Sequence, residues 1–396
     1  MRLYVTGIGV ISGIGRGVEE NLASLRNGRH GMGRVSLFPT ALDVPVCEVK
    51  ESNDMLIQSL GLDKEFPYSR TALLGMVAAQ EAIADAGLTR LDERVGFISG
   101  TSVGGMDRSE MFYNDYRQNP TDGGDIRLTA SHDCADSTLR IAQYLGIQGY
   151  TSTISTACSS AANAILLGAR LIRSGRLDTA IIGGVDPLCR FTLNGFNSLK
   201  ILDTEHCRPY DESRAGLNLG EGAGYIVLQA EHAVRRTPYC LLSGYANAND
   251  AFHQTGSSPE GNGAYNAMRR ALKVANVRPE EVSYINVHGT GTPSNDVTES
   301  RAMLRLFGKN VPPFASVKGY IGHALAGSEG IEAVYSVLCV ARGIFLPNIN
   351  YQTPIAETML TPVTRYSEGN NVRHVLSNAF GFGGNDSSLL FSSVEV

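Results

Sequence analysis

The chain has 396 residues, of which 43% are hydrophobic and 18% charged, with a formal net charge of -5. That is enough apolar sequence for a large folded core, and the mildly acidic balance gives no global attraction for nucleic acid. No run of about 18 apolar residues occurs, which excludes a spanning helix, and Met1 to Gly15 lacks the apolar core and cleavage site of a signal peptide.

Leu3 to Ile11 alternates apolar and small residues and predicts a strand, with Gly13 and Gly15 as breakers and Val18 to Arg26 as a helix. Arg70 to Ala86 has the length and Ala/Leu content of a helix, stopped by Gly87. Arg94 to Ile98 predicts a short buried strand, and the polar stretch Gly104 to Asp125 a surface excursion. Thr151 to Thr156 predicts a strand of β-branched residues, running into a helix of small residues from Ala157 to Ser174. Strands follow at Thr179 to Ile182 and Tyr225 to Gln229. A second series has strands at Leu241 to Ala246, Tyr284 to Val287, Phe314 to Val317, Val375 to Asn378 and Ser388 to Phe391. Its helices fall at Gly263 to Asn276, Asp296 to Phe307 and Gly327 to Arg342. Strands and helices alternate as in α/β proteins. The break near residues 231–240 divides the chain softly into 1–235 and 236–396.

Seven cysteines, Cys47, Cys134, Cys158, Cys189, Cys207, Cys240 and Cys339, show no CxxC spacing. An odd, scattered set argues against a disulfide framework and for a reducing compartment, with the cytoplasm as the default. Cys158 differs from the rest. It lies where a strand gives way to a helix of small residues, and the unpaired N–H groups of a helix N-terminus stabilise a thiolate nucleophile. The alternative at this point is a buried structural cysteine. His288 follows a strand in Asn286-Val287-His288-Gly289-Thr290-Gly291-Thr292-Pro293. His323 follows another in Ser316-Val317-Lys318-Gly319-Tyr320-Ile321-Gly322-His323. Ligands in α/β folds collect at the carboxyl ends of strands, so a cysteine and two histidines in such places form a candidate nucleophilic constellation. Catalytic zinc on Cys158, His288 and His323 is a rival arrangement, although no pair has short ligand spacing.

Together the segments resemble the β-ketoacyl-[acyl-carrier-protein] synthase family of the thiolase superfamily, in its elongating type II form with a Cys-His-His triad. The resemblance runs from Val5-Thr6-Gly7-Ile8-Gly9 to Asn378-Ala379-Phe380-Gly381-Phe382-Gly383-Gly384-Asn385. It rests on Thr156-Ala157-Cys158-Ser159-Ser160, on the loop from His288 to Pro293, on Lys318 five residues before His323, and on the Phe-Gly-Phe-Gly-Gly turn.

The resemblance implies a thiolase-like fold, in which two similar βαβαβαββ halves stack as an αβαβα five-layer sandwich. It implies that Cys158 is acylated and that His288 and His323 act on a malonyl thioester, with Lys318 supporting the second histidine and Glu332 a structural acid. The backbone N–H groups of Cys158 and Phe382 would form the oxyanion hole, with Phe382 as a gate. Thr290 and Thr292 would bind the phosphopantetheine arm. Arg208, Lys64 and Arg70 match basic positions that dock acyl carrier protein, although Phe66 and Pro67 stand where relatives are more basic. No metal and no covalent cofactor are implied; the substrates ride on the carrier's phosphopantetheine. A homodimer, or a heterodimer with a non-catalytic chain-length partner, is expected. The implied activity is elongation of a fatty-acyl chain by two carbons. The alternative is a specialised polyketide or aryl-polyene ketosynthase. A thiolase is disfavoured because the C-terminal turn has no second cysteine, and an initiating Cys-His-Asn synthase because both partner positions carry histidine.

Overall fold

A computed structural model describes residues 1–395; Val396, the last residue of the second half, lies outside it. Ten strands carry the architecture: β1 Leu3–Ser12, β2 Val95–Gly100, β3 Thr151–Ile154, β4 Thr179–Asp186, β5 Gly222–Ala230, β6 Cys240–Asn249, β7 Tyr284–Asn286, β8 Phe314–Ala315, β9 His374–Gly381 and β10 Asn385–Ser392. The helices are α1 Val18–Arg26, α2 Asn53–Leu60, α3 Arg70–Ala86, α4 Met106–Gln118, α5 Cys134–Leu145, α6 Ser160–Arg173, α7 Arg190–Ser198, α8 Asn262–Ala275, α9 Pro293–Phe307, α10 Lys318–Ile321 and α11 Ser328–Arg342.

The strands form one continuous ladder in the order β8-β7-β9-β10-β6-β1-β5-β4-β2-β3, with the two-residue strand Gly15–Arg16 pairing the end of β1. Around the β6–β1 junction the order repeats: β1-β5-β4-β2-β3 on one side and β6-β10-β9-β7-β8 on the other. Each half runs βαβαβαββ, with parallel pairs at its outer end and antiparallel pairs toward the junction. This internal duplication has no sequence signature that a single chain displays.

The core explains the layering. α6 and α11 lie between the two half-sheets, and Ile165, Ala169, Ile172, Ile331, Val334 and Leu338 share one apolar cluster with strands of both halves. α3 covers the outer face of the first half through Leu73, Val77 and Ala78, and α8 covers that of the second through Met268, Ala271 and Leu272. The result is the thiolase-like αβαβα sandwich. A central strand is therefore buried on both faces, and all ten residues of β1 are. The apolar/small alternation of that strand has a steric origin. A Cβ on Gly7 or Gly9 would come within 2.3 and 2.1 Å of the Ala82 and Ala78 carbonyl oxygens of α3.

Most element limits agree with the sequence to within a few residues, and Arg70 to Ala86 agrees at both ends. The stretch Gly104 to Asp125 departs from expectation: residues 106–118 are a helix, α4, although none of its residues is fully buried. The small-residue helix begins at Ser160, two residues past Cys158. No helix among the described residues is long and apolar enough to cross a membrane.

Candidate active site

Cys158 sits on an elbow between β3 and α6. Ala157 before it has φ 52°, a left-handed shape that strains a residue with a Cβ. Ser160 secures the bend: its hydroxyl donates to the Ala157 carbonyl at 2.6 Å and accepts the Thr156 N–H at 2.9 Å. Small neighbours are required because the chain crosses β9 here, and a Cβ on Gly381 would stand 3.2 Å from the Cys158 nitrogen. The Phe382 N–H and the N–H of Cys158 itself both favour negative charge at the sulfur.

The helix N-terminus nevertheless does not leave a thiolate at rest. Cys158 is only 6% exposed. Burial pushes its thiol up to about 12; Lys318 opposes the shift and Asp186 adds to it. Desolvation outweighs the donors.

His288 follows β7. Its N–H and that of Gly289 each donate to one oxygen of Glu299 at 2.9 Å. Asp296, one turn earlier on α9, accepts the N–H groups of Gly291 and Tyr210 at 3.2 and 2.8 Å. The loop from His288 to Thr292 is thus held by two acids on one face of the following helix. Sequence reasoning missed both; an acid pair three residues apart just after a Gly/Thr loop is the signal that could have found them. Burial pushes Glu299 up to about 7 against the pull of those N–H groups.

His323 lies after α10, with its ring centroid 5.3 Å from that of His288 in a T-shaped arrangement. The Leu325 N–H points at His323 Nδ1 at 3.1 Å, and the Ser328 hydroxyl lies 2.9 Å from the same atom. A backbone N–H can only donate. Nδ1 is therefore the acceptor, and the proton of the neutral ring sits on Nε2. Burial holds both imidazoles well below their ordinary range, reinforced by the Lys318 charge. Lys318 Nζ donates to Glu332 Oε1 at 2.6 Å in a fully buried pair. Glu329, one turn before Glu332, is pushed well above the carboxylate range by burial and by its neighbour's charge. Sequence reasoning passed it over.

Cys158, His288, His323, Thr290, Thr292 and Phe382 all line one cleft. The Thr290 and Thr292 hydroxyls are 2.9 Å apart in its wall. Cys158 and Phe382 also border a second cavity, lined by Ser102, Val103, Phe191, Thr192 and Leu325. The sulfur thus stands between two chambers, with the stacked rings of Phe382 and Phe196, 5.9 Å between centroids, beside both. Among the described residues no group of three His, Cys, Asp or Glu is arranged to hold a metal ion.

Sequence profiles agree with this geometry. The β-ketoacyl synthase N-terminal domain matches residues 1–233 and the C-terminal domain residues 239–352. The chain belongs to the β-ketoacyl synthase family. It is a cysteine-centred condensing enzyme of the thiolase superfamily. A putative polyketide beta-ketoacyl synthase 1 of Streptomyces halstedii is 36% identical, over 100% of this chain and 98% of that protein. A 3-oxoacyl-[acyl-carrier-protein] synthase 2 of Synechocystis sp. is 34% identical, over 100% and 98%. Among solved structures, the ishigamide ketosynthase/chain length factor is similar with a TM-score of 0.94 at 30% identity, covering 99% of each chain. A type II polyketide ketosynthase bound to the hexaketide, in complex with its acyl-carrier protein, is similar with a TM-score of 0.89 at 27% identity, again covering 99% of each.

The synthase's basic positions divide. Arg70 is not a docking residue: it is 3% exposed, and its guanidinium grips Glu221 through two hydrogen bonds of 2.8 and 2.6 Å. It also donates to the Val49 and Glu51 carbonyls and to Asn53. A guanidinium fork fits a carboxylate and the surrounding carbonyls, and α3 turns this one inward. Lys64 is exposed on the loop before α3. Arg208 is half-buried beside the loop carrying Thr290 and Thr292, and donates to Asp203 and Glu205 at 3.1 and 2.7 Å.

Proposed function

We propose that the synthase is the ketosynthase of a specialised polyketide or polyene pathway, and performs a decarboxylative Claisen condensation on carrier-bound thioesters. The observation that carries this is the placement of Cys158 between two chambers. One holds Thr290, Thr292 and both imidazoles; the other is apolar but carries the side chains of Ser102, Thr192 and Ser198. The likeness to the ishigamide ketosynthase/chain length factor supports the pathway. Fatty-acid elongation is the second reading, favoured by the likeness to the Synechocystis synthase.

The chemistry follows from the groups present. A phosphopantetheine arm lies along Thr290 and Thr292, and the Cys158 sulfur attacks the acyl thioester carbon. The thiol proton leaves with the carrier thiolate, and the N–H groups of Cys158 and Phe382 hold the oxyanion. Malonyl thioester then replaces the first arm. His323 Nε2–H and neutral His288 donate to its carbonyl oxygen, where charge collects as the C–CO₂ bond breaks. The enolate carbon attacks acyl-Cys158, the new C–C bond forms, and the sulfur leaves as a thiolate that takes a proton from water. Burial, reinforced by the Lys318 charge, keeps both imidazoles uncharged, so they remain hydrogen-bond donors that do not give up a full proton.

The partners proposed are an acyl carrier protein, docking near Arg208 and Lys64, and a second synthase-like subunit. β3 ends the ladder, and Leu139, Tyr150 and Phe191 expose apolar surface in this half. Incubation with carrier proteins bearing saturated, polyunsaturated and 3-oxo chains, followed by mass spectrometry of Cys158, tests the reading. Adducts chiefly from unsaturated or oxidised chains are expected. Efficient turnover of saturated chains alone, by the protein without a different partner, would make fatty-acid elongation the better description.

A further inference from the structure

Asp186 closes β4 and is fully buried. Its carboxylate gathers donors from two parts of the fold. Oδ1 accepts the Thr101 hydroxyl at 2.6 Å and the N–H groups of Ser102 and Val103 at 3.0 and 3.1 Å. Oδ2 accepts the Ser102 hydroxyl at 2.6 Å and the Ala326 N–H at 2.9 Å. All of these donors are neutral. A buried carboxylate without a cation is costly, and it persists only where donors are well aligned.

The Ala326 end leads to the site. Ala326 follows Leu325, whose N–H meets His323 Nδ1. Leu325 has φ 50°, a left-handed shape that strains a residue with a Cβ. Such a turn must be held from outside, and Asp186 holds it by taking the very next N–H. Its other lobe holds Ser102 and Val103, two walls of the second cavity. One carboxylate therefore joins the acyl-side wall to the turn beneath the imidazole.

We propose that Asp186 is a positioning residue for His323: its hold on Ala326 keeps the Leu325 N–H on Nδ1, and so keeps the His323 proton on Nε2, where it meets the malonyl carbonyl. The catalytic half of this statement rests on the function proposed above; the tautomer half does not. Asp186→Asn is the direct test. It replaces one acceptor by an NH₂ donor, which in either orientation faces an N–H group.

In ¹⁵N-histidine-labelled wild-type protein the expectation is an Nε2–H signature for His323, giving way to mixed tautomers in D186N. Malonyl-carrier decarboxylation should fall on the order of 100-fold in kcat, with KM little changed and a much smaller effect on the rate of Cys158 acylation. Thr101→Ala removes a donor from the far lobe only and should leave the tautomer intact. A wild-type tautomer in folded D186N, or equal losses of acylation and decarboxylation, overturns the proposal. If D186N does not fold, the wild-type spectrum decides, since a proton on His323 Nδ1 contradicts it. Wild-type protein that shows the Nε2–H signature but never decarboxylates malonyl thioesters would count against the proposed function and leave the role of Asp186 in the turn standing.

Discussion

Cys158 is a thiol at rest, and its reactivity is governed by burial. With the thiol pushed up to about 12, only roughly one molecule in 10⁵ carries a thiolate at pH 7. Alkylation of Cys158 by iodoacetamide should therefore quicken about tenfold per pH unit from pH 7 to 10; a plateau below pH 8 would reveal a resting thiolate. The imidazoles are pushed the other way. His288 and His323 lie well below their usual range, so they stay neutral through mild acid. In Glu299→Gln protein, where the raised carboxyl beside His288 no longer titrates, malonyl decarboxylation, measured as CO₂ release from the carrier thioester, should stay flat between pH 8 and 6, and a fall with an apparent pKa near 6.5 would contradict the proposed donor role. The same shifts make these two imidazoles cost stability in acid: below about pH 6.5 each binds a proton in the unfolded chain that it does not bind in the fold, a loss that Glu299, raised to about 7, opposes. Removing the His323 donor, as in H323A, should cost on the order of 10²–10³ in decarboxylation rate. At this scale the sequence was readable where a motif names a residue, as with Cys158, His288 and His323. It was silent for Asp186 and Glu329, because a lone acid has no pattern until the fold gives it partners; Asp296 and Glu299 offered only their spacing after the Gly/Thr loop.

Elements differ in how plainly they announce themselves. α3 has a Ser69 cap, a run of Ala and Leu and a terminal Gly87 in the left-handed shape, so local signals fix it at both ends. α4 has no such apolar stripe, and no residue in it is fully buried. It reads as a polar loop because its constraints come from outside: Asp107 accepts the Arg70 N–H at 3.0 Å, and Glu110 accepts those of Arg190 and Phe191 at 3.1 and 2.8 Å. Arg70 was misplaced for a related reason. Its position matches a surface site, but its rotamer is set by Glu221, 151 residues away. Removing one partner of such a buried pair costs about 3–5 kcal/mol. R70A should thus show a clearly lowered unfolding midpoint in urea, with no change in the salt dependence of carrier binding by the folded fraction. At the contact of β5 with α11, a Cβ on Gly224 would lie 2.2 Å from Gly330 backbone. G224A should be destabilised by about 1–3 kcal/mol or more, measured by the same titration.

The whole molecule joins two copies of one strand order, and the site lies between them. Cys158 comes from the first half; His288, Lys318, His323 and Phe382 come from the second. The acyl-side cavity runs toward Phe191, which also lines a neighbouring apolar hollow with Met106, Phe112 and Tyr113. Native mass spectrometry should show a species of twice the 42.4 kDa chain mass, or a one-to-one complex with a homologous subunit. A monomer active at nanomolar concentration would remove the second subunit from the proposal. The sequence by itself determined the family and the strand–helix alternation and picked out Cys158, His288 and His323 as the candidate site, because these are written in local spacing and in motifs. Only the tertiary structure decided that burial pushes the Cys158 thiol up, that Arg70 is internal, and which nitrogen of His323 holds the proton. Each of those depends on desolvation or on partners far apart in the chain, which no local pattern encodes.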